Sequence, residues 1–151
     1  SGRVVHTSSL MNRIARLRID DLDYHRRSFG QGWQPYAYAK LGVILYAKSL
    51  ADRTGLGSYS VHPGYVRTGF GAELPTATWS ARLTRRFQIS PQAGAAPLVH
   101  IADTPELGVE NGSYFDGLLP HGKTHPLAGR PAKEDAYSHK KHLFTTVKVT
   151  K

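Results

Sequence analysis

Two side chains that could move a proton together, Tyr36 and Lys40, are four residues apart in the sequence. On a helix this spacing places both side chains on one face, within reach of each other. An ammonium group close to a phenol favours the ionised phenolate. The pair therefore predicts a proton donor to a developing alkoxide, or a proton acceptor in the reverse direction.

The same spacing recurs at Tyr137 and Lys141, so spacing alone does not identify a reaction centre. Their surroundings separate the two pairs. Tyr36 follows a strand-like run that ends in two serines at positions 8–9, and it precedes a second run that ends at positions 62–64 with His-Pro-Gly. The pair in the tail has neither neighbour, and the context therefore favours the pair at Tyr36.

The elements needed to position these residues follow an α/β alternation. The sequence predicts strands at 3–7 and 57–61, a turn and a third short strand within 111–115, helices at 36–53 and 91–103, and irregular loops at 10–34 and 65–89. Strands that alternate with helices form a parallel sheet with right-handed crossovers. Three strands alone would leave a long edge bare, so we expect further chain before Ser1.

Composition narrows the classes of function. The 151 residues are enough for one domain, and the absence of cysteine excludes disulfides, thiolate zinc sites and cysteine nucleophiles. The net charge of +9 is spread evenly, with ten Lys/Arg in residues 1–75 and ten in 76–151, so no specific nucleic-acid groove is expected.

Histidine pairs at 121/125 and 139/142 lack a carboxylate cluster, and no metal site is predicted. No apolar run reaches the roughly 20 residues of a transmembrane helix, so we expect a cytoplasmic protein.

Three ordered motifs resemble the short-chain dehydrogenase/reductase family: Val4-Val5-His6-Thr7-Ser8-Ser9, Tyr36-Ala37-Tyr38-Ala39-Lys40-Leu41 and Val61-His62-Pro63-Gly64-Tyr65-Val66-Arg67-Thr68. The gap of 27 between Ser9 and Tyr36 resembles the retinol-dehydrogenase and WW-domain-oxidoreductase-like branch, as do residues 104–107 and 112–115. The likeness covers roughly residues 2–117. It implies the C-terminal part of a doubly wound, Rossmann-like α/β domain.

This resemblance implies an NAD(P)-dependent oxidoreductase that moves a hydride between a nicotinamide and a small-molecule alcohol or carbonyl substrate. Ser9 would hydrogen-bond the substrate oxygen, and Tyr36 would transfer the proton. Lys40 would bind the nicotinamide ribose and support ionisation of the tyrosine.

The resemblance also implies which residues meet the cofactor, NADP or NAD, besides Tyr36 and Lys40. The turn at Pro63 and Gly64 would lie against the nicotinamide, and Val66 and Thr68 would contact its carboxamide. The variable substrate loop of the family would correspond to residues 69–89.

Parts of the family pattern have no counterpart in this sequence: the glycine-rich phosphate turn, the Asn-Ala-Gly segment and the asparagine of the catalytic tetrad. We therefore expect residues 1–120 to be the catalytic C-terminal half of the domain, without its cofactor-binding N-terminal half, and residues 121–151 to be an irregular basic tail. The alternative is a catalytically inactive, truncated remnant that acts as a basic interaction module. The choice between NAD and NADP, the substrate and any homo-oligomer stay open at this point.

Overall fold

Short runs rich in β-branched and aromatic residues form the sheet, in a computed structural model that describes residues 2–67 and 88–129. The strands are β1 (Arg3–Thr7), β2 (Gly57–His62), β3 (Tyr114–Asp116) and β4 (Leu119–Pro120), and they lie in the order β1-β2-β3-β4. The first three are parallel, as predicted, with Thr7 opposite Val61 and Val61 opposite Phe115.

The fourth strand, β4, was not predicted. It is antiparallel to β3 and only two residues long, so it carries no alternation of apolar and polar residues from which to infer a strand. A turn through Gly117, at φ 61°, reverses the chain between the two strands. The described sheet thus has four strands instead of three.

Helix α1 (Trp33–Thr54) follows β1, and it starts three residues before the predicted position. Gly32, at φ 86°, precedes the helix in a left-handed conformation that glycine adopts without strain. Pro35 then lies within the first turn, where backbone N–H groups have no partner inside the helix. Gly55 ends the helix as predicted, and its N–H donates a hydrogen bond to the carbonyl of Ala51.

The second long helix, α2 (Pro91–Asp103), begins and ends where the sequence predicts. Ser90 is its N-cap, and the serine hydroxyl accepts a hydrogen bond of 3.1 Å from the backbone N–H of Ala93. A short helix, α3 (Pro126–Gly129), ends the described part of the chain. No helix in residues 2–67 and 88–129 is long and apolar enough to cross a bilayer.

The two long helices cover opposite faces of the sheet. Tyr114 packs in one core cluster with Leu41 and Ile44 of α1, whereas the next residue, Phe115, packs in another with Ile101 of α2. Neighbouring residues of a strand point to opposite faces, so the sheet lies between the helices. This three-layer arrangement confirms the predicted Rossmann-like α/β fold class.

Two segments predicted as irregular have local structure. Residues 10–34 contain 3₁₀ turns at Leu10–Ile14, Ile19–Asp21 and Gly30–Gly32, which are too short to leave a periodic pattern in the sequence. The first part of the predicted tail is structured: residues 121–129 pack on the domain, and Ala128 is 1% exposed. The domain boundary at residue 120 stays a prediction, and residues 130–151 lie outside the described part of the chain.

Candidate active site

The carboxyl ends of β1 and β2 bring two of the predicted motifs to the same edge of the sheet. The strands are parallel, and the N–H of Ser8, just beyond β1, donates a hydrogen bond of 2.7 Å to the carbonyl of Val61 near the end of β2. Ser9 and the Pro63-Gly64 turn therefore leave the sheet side by side. Open α/β sheets bind their ligands at this edge.

Helix α1 is fixed to the end of β1 by two reciprocal hydrogen bonds, which we name the Ser8–Lys40 clamp. The hydroxyl of Ser8 donates to the backbone carbonyl of Lys40 at 2.7 Å, and the ammonium of Lys40 donates to the backbone carbonyl of Thr7 at 3.0 Å. Ser8 is only 2% exposed. The clamp sets the position of the lysine charge relative to the strand end.

Tyr36 lies between an indole and an ammonium on one face of α1. The Nζ atom of Lys40 is 5.5 Å from the centroid of the Tyr36 ring, and the ring of Trp33 stands edge-on to Tyr36 at a centroid distance of 6.2 Å. Residues three or four positions apart share a helix face, which explains both contacts. Burial lowers the pKa of Lys40, so its positive charge is lost at a lower pH than that of a solvent-exposed lysine.

Ser9 begins the 3₁₀ turn Leu10–Ile14, with its backbone extended at φ −157°. Its hydroxyl oxygen accepts a hydrogen bond of 3.3 Å from the N–H of Met11, and the residue is 8% exposed. A serine hydroxyl has one donor and two acceptor lone pairs. Its proton is therefore still available to donate to a ligand oxygen.

The turn after β2 is hydrogen-bonded to the segment around Ile89. The N–H of Arg67 donates to the carbonyl of Ile89 at 2.9 Å, and the N–H of Ile89 donates to the carbonyl of Tyr65 at 2.8 Å. Val66 and Ile89 form an isolated parallel bridge. Gly64 has φ 96°, and a Cβ there would meet the side chain of Ile89 at 2.9 Å. Thr68, the last predicted cofactor contact, lies outside the described residues.

Gly94 allows α2 to approach Val66 closely. A Cβ on Gly94 would overlap Cγ2 of Val66 and lie 3.1 Å from its Cγ1. We expect Gly94→Ala to displace Val66 and to destabilise the domain by about 1–3 kcal/mol, the usual cost of overpacking. Thermal unfolding measures this effect. Gly42→Ala is the matched control, since a Cβ on Gly42 in α1 meets nothing within 4 Å. Equal melting temperatures for the two variants would contradict the prediction.

The atoms at this edge suit the nicotinamide end of a dinucleotide. A protonated lysine has three N–H donors, and the contact with Thr7 uses one of them. The others can serve the hydroxyls of a ribose. Gly64 has no side chain, so a flat group could lie against the turn. Among residues 2–67 and 88–129, no cluster of three or more His, Asp or Glu side chains could hold a metal ion.

The structure also shows residues that the sequence did not single out. Ser8 was expected only as the neighbour of Ser9, and its clamp to α1 depends on a backbone carbonyl that no motif marks. Asn12 lies in the aperiodic segment 10–34 but is completely buried, at 0% exposure. The one signal in the sequence was that Asn12 is a polar residue three positions after the Ser8-Ser9 pair.

Known proteins with similar sequences are oxidoreductases. Retinol dehydrogenase 11 and retinol dehydrogenase 12 of Homo sapiens are each 32% identical over 117 residues, which is 76% of this chain and 36% of theirs. An uncharacterized oxidoreductase of Schizosaccharomyces pombe is 29% identical over 157 residues, covering 97% of this chain and 46% of its own. No family model matches the chain.

A solved structure supports the fold. The crystal structure of an uncharacterized protein from Mycobacterium paratuberculosis has a TM-score of 0.60 and 22% identity, covering 85% of this chain and 44% of that one. The chain spans between 36% and 46% of the length of these relatives. It is a homologue, over part of their length, of the retinol dehydrogenases, and this confirms its resemblance to the short-chain dehydrogenase/reductase family.

Proposed function

We propose that this chain contains the catalytic residues of an NAD(P)-dependent oxidoreductase that interconverts an alcohol and a carbonyl compound. One observation carries the proposal: the ammonium of Lys40, fixed by the carbonyl of Thr7, lies 5.5 Å from the centre of the Tyr36 ring. The same strand end leads directly into Ser9. The names of the relatives, retinol dehydrogenase and oxidoreductase, support a redox reaction of this class.

In the reducing direction the substrate oxygen becomes an alkoxide and needs a proton. Tyr36 donates that proton, and the resulting phenolate is stabilised by the nearby Lys40 ammonium. Ser9 donates a hydrogen bond to the same oxygen and so orients the carbonyl. In the oxidising direction each step is reversed, and Tyr36 accepts the proton of the alcohol.

The nicotinamide, when bound, supplies or accepts the hydride at the substrate carbon. Lys40 has N–H donors for its ribose, and the turn at Pro63 and Gly64 offers a surface for its ring. Val66, held against Ile89 and α2, lies beside that surface, and Thr68 completes the proposed set of contacts. The phosphates and adenine of NADP or NAD would need residues from another part of the protein.

Hydride transfer is tested with the natural full-length protein and cofactor deuterated at C4 of the nicotinamide. NADPH and NADH, each labelled on either face, are incubated with a panel of small aldehydes and ketones. We expect deuterium at the carbinol carbon of the product from one labelled face and not from the other, measured by mass spectrometry. Cofactor that is never consumed, or an alcohol product without deuterium from either labelled face, would rule out the proposed reaction.

The alternative of an inactive remnant with a basic interaction surface has no support among the relatives. The three sequence relatives described above are named as dehydrogenases or oxidoreductases. A cytoplasmic location and small-molecule substrates stay parts of the present proposal.

A further inference from the structure

A buried amide lies directly beneath the loop that presents Ser9. Both the backbone N–H and the side-chain Nδ2 of Asn12 donate to the carbonyl of Ser9, at 3.0 and 2.7 Å. The Oδ1 atom of Asn12 accepts a hydrogen bond of 2.9 Å from the backbone N–H of His125. Asn12 is 0% exposed: one side-chain N–H and the Oδ1 atom bond protein backbone, and the side chain also faces the hydroxyl of Tyr114.

Arg13, the next residue, also joins the loop after β1 to residues 121–129. Arg13 donates to the carbonyl of Lys123 at 2.8 Å and forms an ion pair of 3.1 Å with Asp116 at the end of β3. Further along, the ammonium of Lys48 on α1 donates to the carbonyl of Ala128. Residues 121–129 are therefore fixed between the loop after β1 and helix α1.

We propose that Asn12 is a positioning residue for Ser9, and that residues 121–129 help to build the active site through it. The inference rests on the proposed function, in which Ser9 orients the substrate oxygen. A peptide carbonyl has two lone pairs, and Asn12 directs two N–H groups at the carbonyl of Ser9. This fixes the peptide plane that follows Ser9 and, with it, the direction of the serine side chain.

An amide suits this position because it combines a donor and an acceptor without charge. An aspartate would turn a negatively charged oxygen toward the carbonyl of Ser9, and a leucine would leave the backbone N–H of His125 without its partner. A misplacement of about 1 Å in a reacting group can lower turnover by about 10²-fold. Asn12 therefore affects catalysis without touching the substrate.

The test compares Asn12→Asp with wild type in the natural full-length protein, under turnover with NADPH or NADH. At pH 8 we expect kcat to fall by about 10- to 100-fold, whereas KM for the cofactor stays unchanged. A protonated carboxyl has one O–H donor for the carbonyl of Ser9 and one carbonyl acceptor for the N–H of His125, and burial raises the pKa of a carboxyl. The ratio of variant to wild-type kcat should therefore recover as the pH is lowered toward 6.

Other ionisable groups near Asn12 are accounted for by taking this ratio at each pH. They are His125, the Arg13–Asp116 pair and Tyr114, whose pKa is raised to about 12, first by burial and then by the charge of Asp116. Tyr114 therefore stays protonated throughout the range. Ionisations that the substitution does not alter cancel in the ratio.

Asn111→Asp is the matched control. Asn111 makes the same kind of bridge, with Oδ1 accepting from the N–H of Ser58 at 2.8 Å and Nδ2 donating to the carbonyl of Leu56 at 2.7 Å. It lies at the amino end of β2, at the opposite end of the sheet from the site. We expect Asn111→Asp to lower thermal stability and to leave kcat per folded molecule unchanged.

Three results would overturn the inference: an unchanged kcat for Asn12→Asp, an equal loss in Asn111→Asp, or a loss that does not recover at lower pH. If wild type itself transfers no hydride, the proposed function fails first and the inference with it. Should Asn12→Asp not fold at pH 8, Asn12→Ser keeps a small hydroxyl donor and allows the same comparison of kcat with KM.

Discussion

Replacing Tyr36 with Phe should lower kcat by about 10²- to 10⁴-fold, the contribution of general acid–base catalysis. Only the hydroxyl is lost, and the aromatic ring that packs edge-on against Trp33 is kept. We therefore expect the fold and the affinity for cofactor to be preserved. Steady-state turnover, together with cofactor titration by fluorescence, measures the two effects separately.

Tyr38→Phe is the control for this substitution. Tyr38 lies on the same helix but about 200° around it from Tyr36, and burial raises its pKa. We expect its turnover to match wild type. Retained turnover in Tyr36→Phe would remove Tyr36 from its proposed role, and equal losses in both variants would point to a general disturbance of α1.

Removing the charge of Lys40 should have the next largest effect. In Lys40→Met the stem is kept, but both the stabilisation of a phenolate and the hydrogen bond to Thr7 are lost. We expect kcat to fall by about 10²- to 10³-fold, as for other preorganised electrostatic groups. Arg53→Met is the control: Arg53 also carries a positive charge on α1, but it is exposed in the last turn of the helix, far from the strand end.

The pH dependence distinguishes the role of the charge from that of the clamp. Because burial lowers the pKa of Lys40, wild type should lose activity on the alkaline side before an exposed lysine would deprotonate. A guanidinium stays protonated above pH 12, so Lys40→Arg should keep its residual activity to higher pH. If the alkaline limb is identical in wild type and Lys40→Arg, the lysine charge does not control it.

Much of the fold follows from local signals. The helix from Ser90 is marked by its N-cap and by Pro91, and α1 is ended by Gly55, so their bounds could be predicted closely. By contrast, β4 depends on pairing with β3 across a two-residue ladder, and the bridge between Val66 and Ile89 joins distant parts of the chain. Such pairings are decided by tertiary contacts and leave little trace in a local pattern.

The candidate site was predicted in part for the same reason. Side chains that act directly, such as Tyr36 and Lys40, have recognisable types and spacing. The groups that hold them are backbone carbonyls, those of Thr7 and Lys40, whose role depends only on where the fold places them. Asn12 was missed because its partner His125 is 113 positions away.

The Ser8–Lys40 clamp has a consequence for how the chain can vary. At the strand end the ammonium is held by main-chain oxygen, which every amino acid provides, and the side chain of Thr7 is exposed. The hydrogen bond to Lys40 therefore does not depend on which side chain stands at position 7. Position 8 is different, because Ser8 is 2% exposed and its hydroxyl donates to the carbonyl of Lys40. Few other side chains are both small enough to fit there and able to donate a hydrogen bond.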